Sequence, residues 1–497
     1  MKKRVKDIGI SSGGSFIALI TEKEAFLNDL HALDRIKIKS TKNEIIAVLD
    51  ISVHAKDLEN GYIGLFEEAY KALNIKNGEY VEISIEEKPV SVDYIKKKLN
   101  NKELSFEEID QIIKDLTLNK LTEIELTYFI SGCYINKLSD KETYYLTKSI
   151  VNNGKKLEIK KKMILDKHCI GGIPNNRTSM IIVPIIAAAG LTIPKTSSRS
   201  ITSPSGTADT FEVFAKVDLP ISKIESIVKK TNGCIVWTGS HFSKNLAGAD
   251  DKLIKLRHPL SLDPEGMLLA SILAKKASVK SNHVLIDIPI GKSTKINNSR
   301  QANHLKRKFE MLGKRLGMKI KVILTDGSQP IGNGIGPNLE ARDILYILRR
   351  DIKAPKDLEE KSIFMASLLM EMAGMKNAKI KARGILESGQ AYKKMREIIK
   401  EQYGNPNISP ENIRLGTFKY DYKSYKNGKI KSIDNRLISK IARAAGAPIN
   451  KASGIYLYYH IKDYVKKGSI LFTIYSEDKS KLEFSKSLIT KGTIVVS

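Results

Sequence analysis

The spacing of apolar positions changes repeatedly along the chain, and each change points to a different kind of element. In residues 1–88 short apolar runs alternate with Gly, Asp and Asn turns. FIALI (16–20), RIKIK (35–39), EIIAVLDIS (44–52) and YVEISI (80–85) predict strands of a small β-rich domain, with a barrel as one way to close it. From about 91 to 152 the period becomes helical. Ser105 with Glu108, Thr122 with Glu125 and Ser139 with Glu142 each place a hydroxyl at an N-cap and a carboxylate three residues on, which satisfies the free amides of a helix start. Ile109, Ile112, Ile113 and Leu116 share one face of the first of these helices. Residues 160 to about 400 have an α/β rhythm. IIVPIIAAAG (181–190) predicts a buried helix, and HVLIDIPIG (283–291) and KIKVILTDG (319–327) predict buried strands that run into glycine loops. After about 412 the chain turns β-rich again, with one helix over 435–445 and strands in IYLYYHI and GSILFTIY.

A chain of 497 residues is too long for one core and calls for about three domains. The longest apolar run, residues 180–191, is shorter than the roughly 20 residues of a membrane span. No apolar stretch follows the N-terminal cations, so a secretory signal is not expected. Cys133, Cys169 and Cys234 lie far apart without a CxxC pair, which speaks against a disulfide framework or zinc site and for a reducing, cytoplasmic setting. The net charge of +28 is the unusual quantity. The excess is spread along the chain rather than gathered in an arm, as expected of solvated surface lysines. Such a field also raises encounter rates with anionic substrates.

Three clusters could carry chemistry. In DKHCIGGIPNNRTS (166–179) two glycines follow a short strand, and the free amides of such a turn bind anions. Lys167 and His168 add a cation and a donor, while Thr178 and Ser179 open a helix whose positive end favours phosphate. An ordinary turn reads equally well from this segment alone. KTSSRSITSPSGTADTFE (195–212) gathers hydroxyls, Lys195 and Arg199 around Gly206. It sits between apolar elements, where a linker would interrupt the core, and donors around a tetrahedral anion supply a reason for it. Asp209 is expected to cap a helix beginning near Phe211. In LRHPLSLDPEGMLLASILAKK (256–276) Asp263 precedes Pro264, a helix-start signature, and Ser271 and Lys275 share one face of the helix that follows. A capping aspartate and an exposed lysine are the plainer reading of that segment.

Together, KHCIGG, SSRSITSPSGTADTFE and SLDPEGMLLASILAKK resemble the motifs of the thymidine and pyrimidine-nucleoside phosphorylases. The resemblance is greatest to the longer branch with an extra N-terminal domain, which holds archaeal AMP phosphorylases and bacterial proteins classed as thymidine phosphorylases. KTSSR, LTDGSQPIGNGIGP with LEARD, and IARAAGAP extend it from about residue 90 to the C-terminus. It implies an α/β core with a helical domain, flanked by a β-rich N-terminal and an α+β C-terminal domain, in the nucleoside phosphorylase and phosphoribosyltransferase style. The corresponding boundaries are an assembly or structural domain at 1–88, a helical domain at 91–157 with 252–282 contributing, a phosphate-binding α/β domain at 158–251 and 283–410, and a C-terminal domain at 412–497.

The same resemblance implies roles. Phosphate falls to Lys167, Cys169, Ser179, Ser197 and Thr207, although Cys169 stands where the motif has serine, and a thiol is the poorer donor. The base falls to His168, Ser271 and Lys275, with Arg257 one place from the expected arginine. In the AMP phosphorylase branch the nucleotide residues resemble Gly172, Ser198, Arg199, Ser200, Ile201, Thr202, Ser203, Thr207, Ser271 and Lys295, and Asp263 occupies the place of a proton donor. TGSHFSKNLAGAD, between Trp237 and Asp251, is a few residues longer than in relatives. Cleavage would pass through an oxocarbenium-like state, with phosphate attacking the anomeric carbon and Asp263 or His168 assisting the departing base.

The activity expected from the resemblance is phosphorolysis of thymidine to thymine and 2-deoxyribose 1-phosphate. The alternative is phosphorolysis of AMP to adenine and ribose 1,5-bisphosphate, with Lys295 or Arg199 meeting the 5′-phosphate. An anthranilate phosphoribosyltransferase would share the core fold but carry different loop motifs. A nucleic-acid-binding protein would explain the charge but not the three spaced motifs. No nucleic acid, membrane, metal or cofactor is expected beyond phosphate as co-substrate, and assembly as a homodimer or larger homo-oligomer is the family expectation.

Overall fold

The computed structural model describes residues 1–53, 58–200, 203–237, 248–257, 259–260 and 262–497. They fall into two compact units, Met1–Asn153 with Gly248–Ser271, and Gly154–Ala247 with Ile272–Ser497.

The first unit opens with a closed barrel. Its strands are β1 (Lys2–Asp7), β2 (Ile17–Thr21), β3 (Arg35–Lys39), β4 (Glu44–Ser52), β5 (Tyr62–Leu65) and β6 (Tyr80–Ile85), in the order β1-β5-β2-β4-β3-β6. Period-two alternation fills the barrel with Val5, Ala18, Ile20, Ile36, Ile38, Leu49, Ile63 and Val81. Helices Ser91–Leu99, Phe106–Thr117, Glu123–Ile135 and Asp140–Asn152 follow. All three capping boxes form, with Ser105 N, Thr122 N and Ser139 N donating to Glu108, Glu125 and Glu142 at 2.7, 2.8 and 2.9 Å. All three carboxylates do further service, Glu108 by taking the Lys97 ammonium at 2.8 Å. Glu142 takes the buried Lys98 ammonium at 2.9 Å, and Glu125 takes Arg35 of β3 at 2.6 Å, which ties barrel to helices.

The second unit is built on parallel strands: β7 (Leu165–Cys169), β8 (Ile193–Ser197), β9 (Gly233–Trp237), β10 (His283–Ile290) and β11 (Lys319–Asp326). They pair as β11-β10-β7 and β8-β9, and a bridge between Ile164 and Thr192 joins the two groups. The crossovers carry helices Ser179–Ala188, Ile221–Thr231 and Ser299–Arg315, as parallel pairing requires. Both faces are covered, so β10 reads as an almost unbroken apolar run. The chain ends in two small antiparallel sheets, β12 (Gly334–Ile335), β13 (Phe418–Lys423), β15 (Gly454–Leu457) and β17 (Ile470–Ser476) in one, and β14 (Gly428–Ile433), β16 (Tyr464–Val465) and β18 (Ile494–Val496) in the other. Helix Asn435–Ala444 buries Ile438, Ile441 and Ala442 against them. The strand expected in IYLYYHI stops at Leu457, because His460 N turns back to Asp463 Oδ2 at 2.7 Å. Among the described residues no helix is long and apolar enough to cross a membrane.

The architecture is the expected one, an α/β core and a helical domain between β-rich N-terminal and α+β C-terminal parts.

Candidate active site

In an open parallel sheet, ligands gather at the carboxyl ends of the strands, and the polar sequence Asp-Lys-His-Cys ends β7 there. Charges inside such a strand persist only when paired. Strand alternation turns Lys167 and Cys169 the same way, and Asp287 of β10 stands opposite Cys169 in register. The Lys167 ammonium donates to Thr178 Oγ1 at 2.7 Å and lies 3.9 Å from Asp287 Oδ2. Lys361, on helix Lys356–Met372, lies 3.4 Å from the same oxygen. Asp287 also accepts from Thr325 Oγ1 at 2.6 Å and Asn176 Nδ2 at 3.2 Å. Beside it, Asp166 accepts from Lys276 at 2.7 Å, and its other oxygen is 3.9 Å from Lys195. Four lysines, each with a tenth or less of its side chain exposed, thus share two buried carboxylates. Burying an unbalanced charge costs several kcal/mol, and an entering anion offsets that cost.

The titrations follow from this crowding. Burial, with Lys276 next in effect, holds the Lys195 ammonium well below its usual range, and burial lowers Lys167 as well. Burial and the charges of Lys276, Lys195, Lys275 and Lys167 push the His168 imidazole well below its usual value. His168 is therefore neutral near neutral pH. Its expected part in catalysis narrows to donating a hydrogen bond, since it carries no spare proton. Burial, with Asp287 adding to it, raises the Cys169 thiol. Its sulfur accepts from Asn176 Nδ2 at 3.0 Å and from Gly171 N at 3.4 Å. A protonated thiol so held is no nucleophile.

The glycine loop is shaped by close approach. Gly172 has φ +97°, and a Cβ there would sit 2.8 Å from Lys295 N and 3.1 Å from Thr294 Cα. Glycine alone lets the loop of Thr294 and Lys295 lie against it, so two residues far apart in sequence meet. Beyond the loop, Arg177 donates to Glu340 at 2.7 Å, to Ser205 O at 2.6 Å and to Thr207 Oγ1 at 3.3 Å. Ser179 is buried as the first residue of its helix.

Asn175 Nδ2, Asn333 N and Gly334 N converge on Asp343 Oδ2 at 2.7, 2.8 and 2.8 Å. Burial outweighs these donors and raises Asp343 from 3.8 to about 7. A carboxyl with a higher value in the folded than in the unfolded state lends stability that is complete below the unfolded value. That stability is lost as pH rises through about 7. Between pH 5 and 8 the wild type should therefore lose about 1–3 kcal/mol more than Asp343→Asn. Urea unfolding of both proteins at the two pH values checks this, and equal losses would refute it.

The serine loop spends most of its polar groups on itself. Ser200 N and Gly206 N donate to Asp209 Oδ2 at 2.7 and 2.8 Å, and Ser203 Oγ donates to Ser205 O at 3.0 Å. The helix here begins at Thr207 rather than near Phe211, and Asp209 is its third residue, not its cap. The reason is local: Asp209 reaches back to the Gly206 amide. Ser197 Oγ donates to Ser198 O at 3.1 Å. Arg199 is engaged by Glu212 at 2.5 and 2.9 Å, by Asp209 at 3.3 Å, and by the Trp237 ring 4.7 Å away. Arg199 holds Glu212 down at about 2, so its charge is already matched by carboxylates. Ile201, Thr202 and most of the long 238–250 segment lie outside the described residues.

Arg257, Asp263 and Ser271 belong to the first unit. Buried Arg257 lies 3.9 Å from Asp263, whose side chain is 45% exposed, and Ser271 Oγ donates to Asp250 at 2.8 Å. Lys275, one turn on in the same helix, is buried rather than exposed. Sequence reasoning missed Lys276, Lys361 and Asp287. Asp287 was findable as a lone acid in an apolar strand.

Comparison with known proteins agrees with this geometry. Residues 92–154 match the helical bundle domain of a glycosyl transferase family, and 161–392 its a/b domain. Residues 429–494 match a pyrimidine nucleoside phosphorylase C-terminal domain. Anthranilate phosphoribosyltransferase from Thermus thermophilus shares the fold, with a TM-score of 0.53 and 16% identity over 63% of this chain and 100% of that one. Fold and site thus define a pentosyltransferase of the nucleoside phosphorylase class. AMP phosphorylases of Pyrococcus furiosus and Pyrococcus horikoshii are 44% and 46% identical over 97% of this chain and 95% of their own. A Legionella pneumophila protein named "Putative thymidine phosphorylase" is 40% identical over 92% of this chain and 87% of its own. The chain belongs to the thymidine and AMP phosphorylase family. The expectation of thymidine phosphorolysis is corrected by these matches, in which nearly full-length relatives carry the AMP phosphorylase name.

Proposed function

We propose that the chain catalyses phosphorolysis of AMP, taking AMP and inorganic phosphate to adenine and ribose 1,5-bisphosphate. The observation that carries this reading is the group of four lysines sharing Asp166 and Asp287 at the end of β7, in a chain this similar to AMP phosphorylases. Phosphate is held beside Lys167, with Ser179, Ser197, Thr207 and the weak donor Cys169 around it. One of its oxygens attacks C1′ as the C1′–N bond breaks through an oxocarbenium-like state. The bonding pair passes to the base, to which neutral His168 offers a hydrogen bond; the resemblance assigns the base's proton to Asp263. Ser271, Lys275 and Arg257 are assigned to the base by the resemblance. Gly172, Ser198, Ser200, Ser203 and Lys295 are assigned to the nucleotide on the same ground. Fixing both reactants in line contributes roughly 7–11 kcal/mol in well-oriented cases.

Phosphorus NMR of the full chain with AMP and phosphate tests this. Both phosphorus signals should fall together as one product with two phosphoryl groups appears, in step with free adenine. Adenine without consumption of phosphate, or no adenine, would overturn the reading.

A further inference from the structure

We propose that Lys361 is a second phosphate-binding lysine, acting beside Lys167; this rests on the phosphorolysis reading and adds a residue to its phosphate site. Lys361 Nζ is buried and has no hydrogen-bond partner among the described residues. Its side chain is 10% exposed, and its ion-pair contact is Asp287 Oδ2 at 3.4 Å. That oxygen is already held by Asn176 Nδ2 at 3.2 Å and lies 3.9 Å from Lys167. One carboxylate cannot balance two ammonium groups. A buried ammonium with its donors unspent is costly unless a ligand accepts from it.

The place of this ammonium identifies the ligand. Asn176 links Asp287 to Cys169, donating to the sulfur at 3.0 Å, and Cys169 and Lys167 both belong to the motif that resembles a phosphate-binding one. Both lysines stand on the same oxygen of Asp287, so an anion beside Lys167 supplies the negative charge that the pair lacks. Lys361 also makes good a local deficit. Where the resembling motif has a serine hydroxyl, this chain has a thiol, a weaker donor. An ammonium supplies a charge-assisted hydrogen bond in its stead.

The test compares the full-length wild type with Lys361→Met, Lys361→Gln and Lys361→Arg, measuring KM for phosphate and for AMP and the rise in Tm caused by inorganic phosphate. The Met and Gln variants should raise the phosphate KM by roughly 10–100-fold, as loss of a charged hydrogen bond implies. They should leave the AMP KM within about twofold and lose most of the phosphate-dependent rise in Tm. Lys361→Arg should keep most of the wild-type affinity. Gln retains a donor for Asp287 and serves if Met does not fold. A phosphate KM and Tm rise unchanged in the neutral variants would overturn the proposal, as would equal losses for phosphate and AMP. If the wild type itself releases no base and gains no Tm from phosphate, the phosphorolysis reading falls as well.

Discussion

Replacing Lys167 with alanine should lower phosphate-dependent cleavage by roughly 10²–10³-fold, the usual cost of removing one preorganised charged donor from a water-poor site. The loss should appear in kcat/KM with phosphate varied, because the lysine is placed at the phosphate and not at the base. The fold should survive. Asp287 keeps Lys361 at 3.4 Å, Thr325 at 2.6 Å and Asn176 at 3.2 Å, so no carboxylate is orphaned. Thr178 loses one partner. Burial already lowers Lys167, which makes its ammonium dependent on nearby anions. A variant that keeps wild-type phosphate kinetics would remove Lys167 from the site.

Asp166→Ala should be the most destabilising substitution around the sheet. It leaves Lys276, fully buried and 2.7 Å from the lost oxygen, and Lys195, 5% exposed, without their shared carboxylate. Removing one partner of a buried pair typically costs about 3–5 kcal/mol. Asp166→Asn keeps an acceptor for Lys276 and should cost less than Asp166→Ala. Differential scanning calorimetry of the second unit's transition checks the order, and equal melting of all three proteins would refute it.

What could be read in the sequence was what depends on neighbours along the chain. RIKIK, EIIAVLDIS and YVEISI match β3, β4 and β6, because alternation within a few residues decides their faces. The capping boxes at Ser105, Thr122 and Ser139 form for the same reason. The glycine loop and Lys167 stood out as short motifs. The partners of Lys167 did not. Asp287 meets it through the register of β7 and β10, and Lys361 arrives from a helix almost two hundred residues away. No spacing rule encodes either meeting. The carboxylate partners of Arg199, Glu212 and Asp209, were equally invisible as contacts in the sequence. Substrate choice was the hardest part, because the residues that the resemblance assigns to the nucleotide lie on separate loops. Gly172 and Lys295 become neighbours only when those loops fold together.

The decisive measurement is release of free base by the purified full-length protein from AMP and from thymidine, each with and without phosphate. Adenine released from AMP only when phosphate is present, with no thymine from thymidine, is the expected result. Thymine release without adenine release would contradict the assignment of AMP, and release of neither base would contradict the enzyme assignment itself.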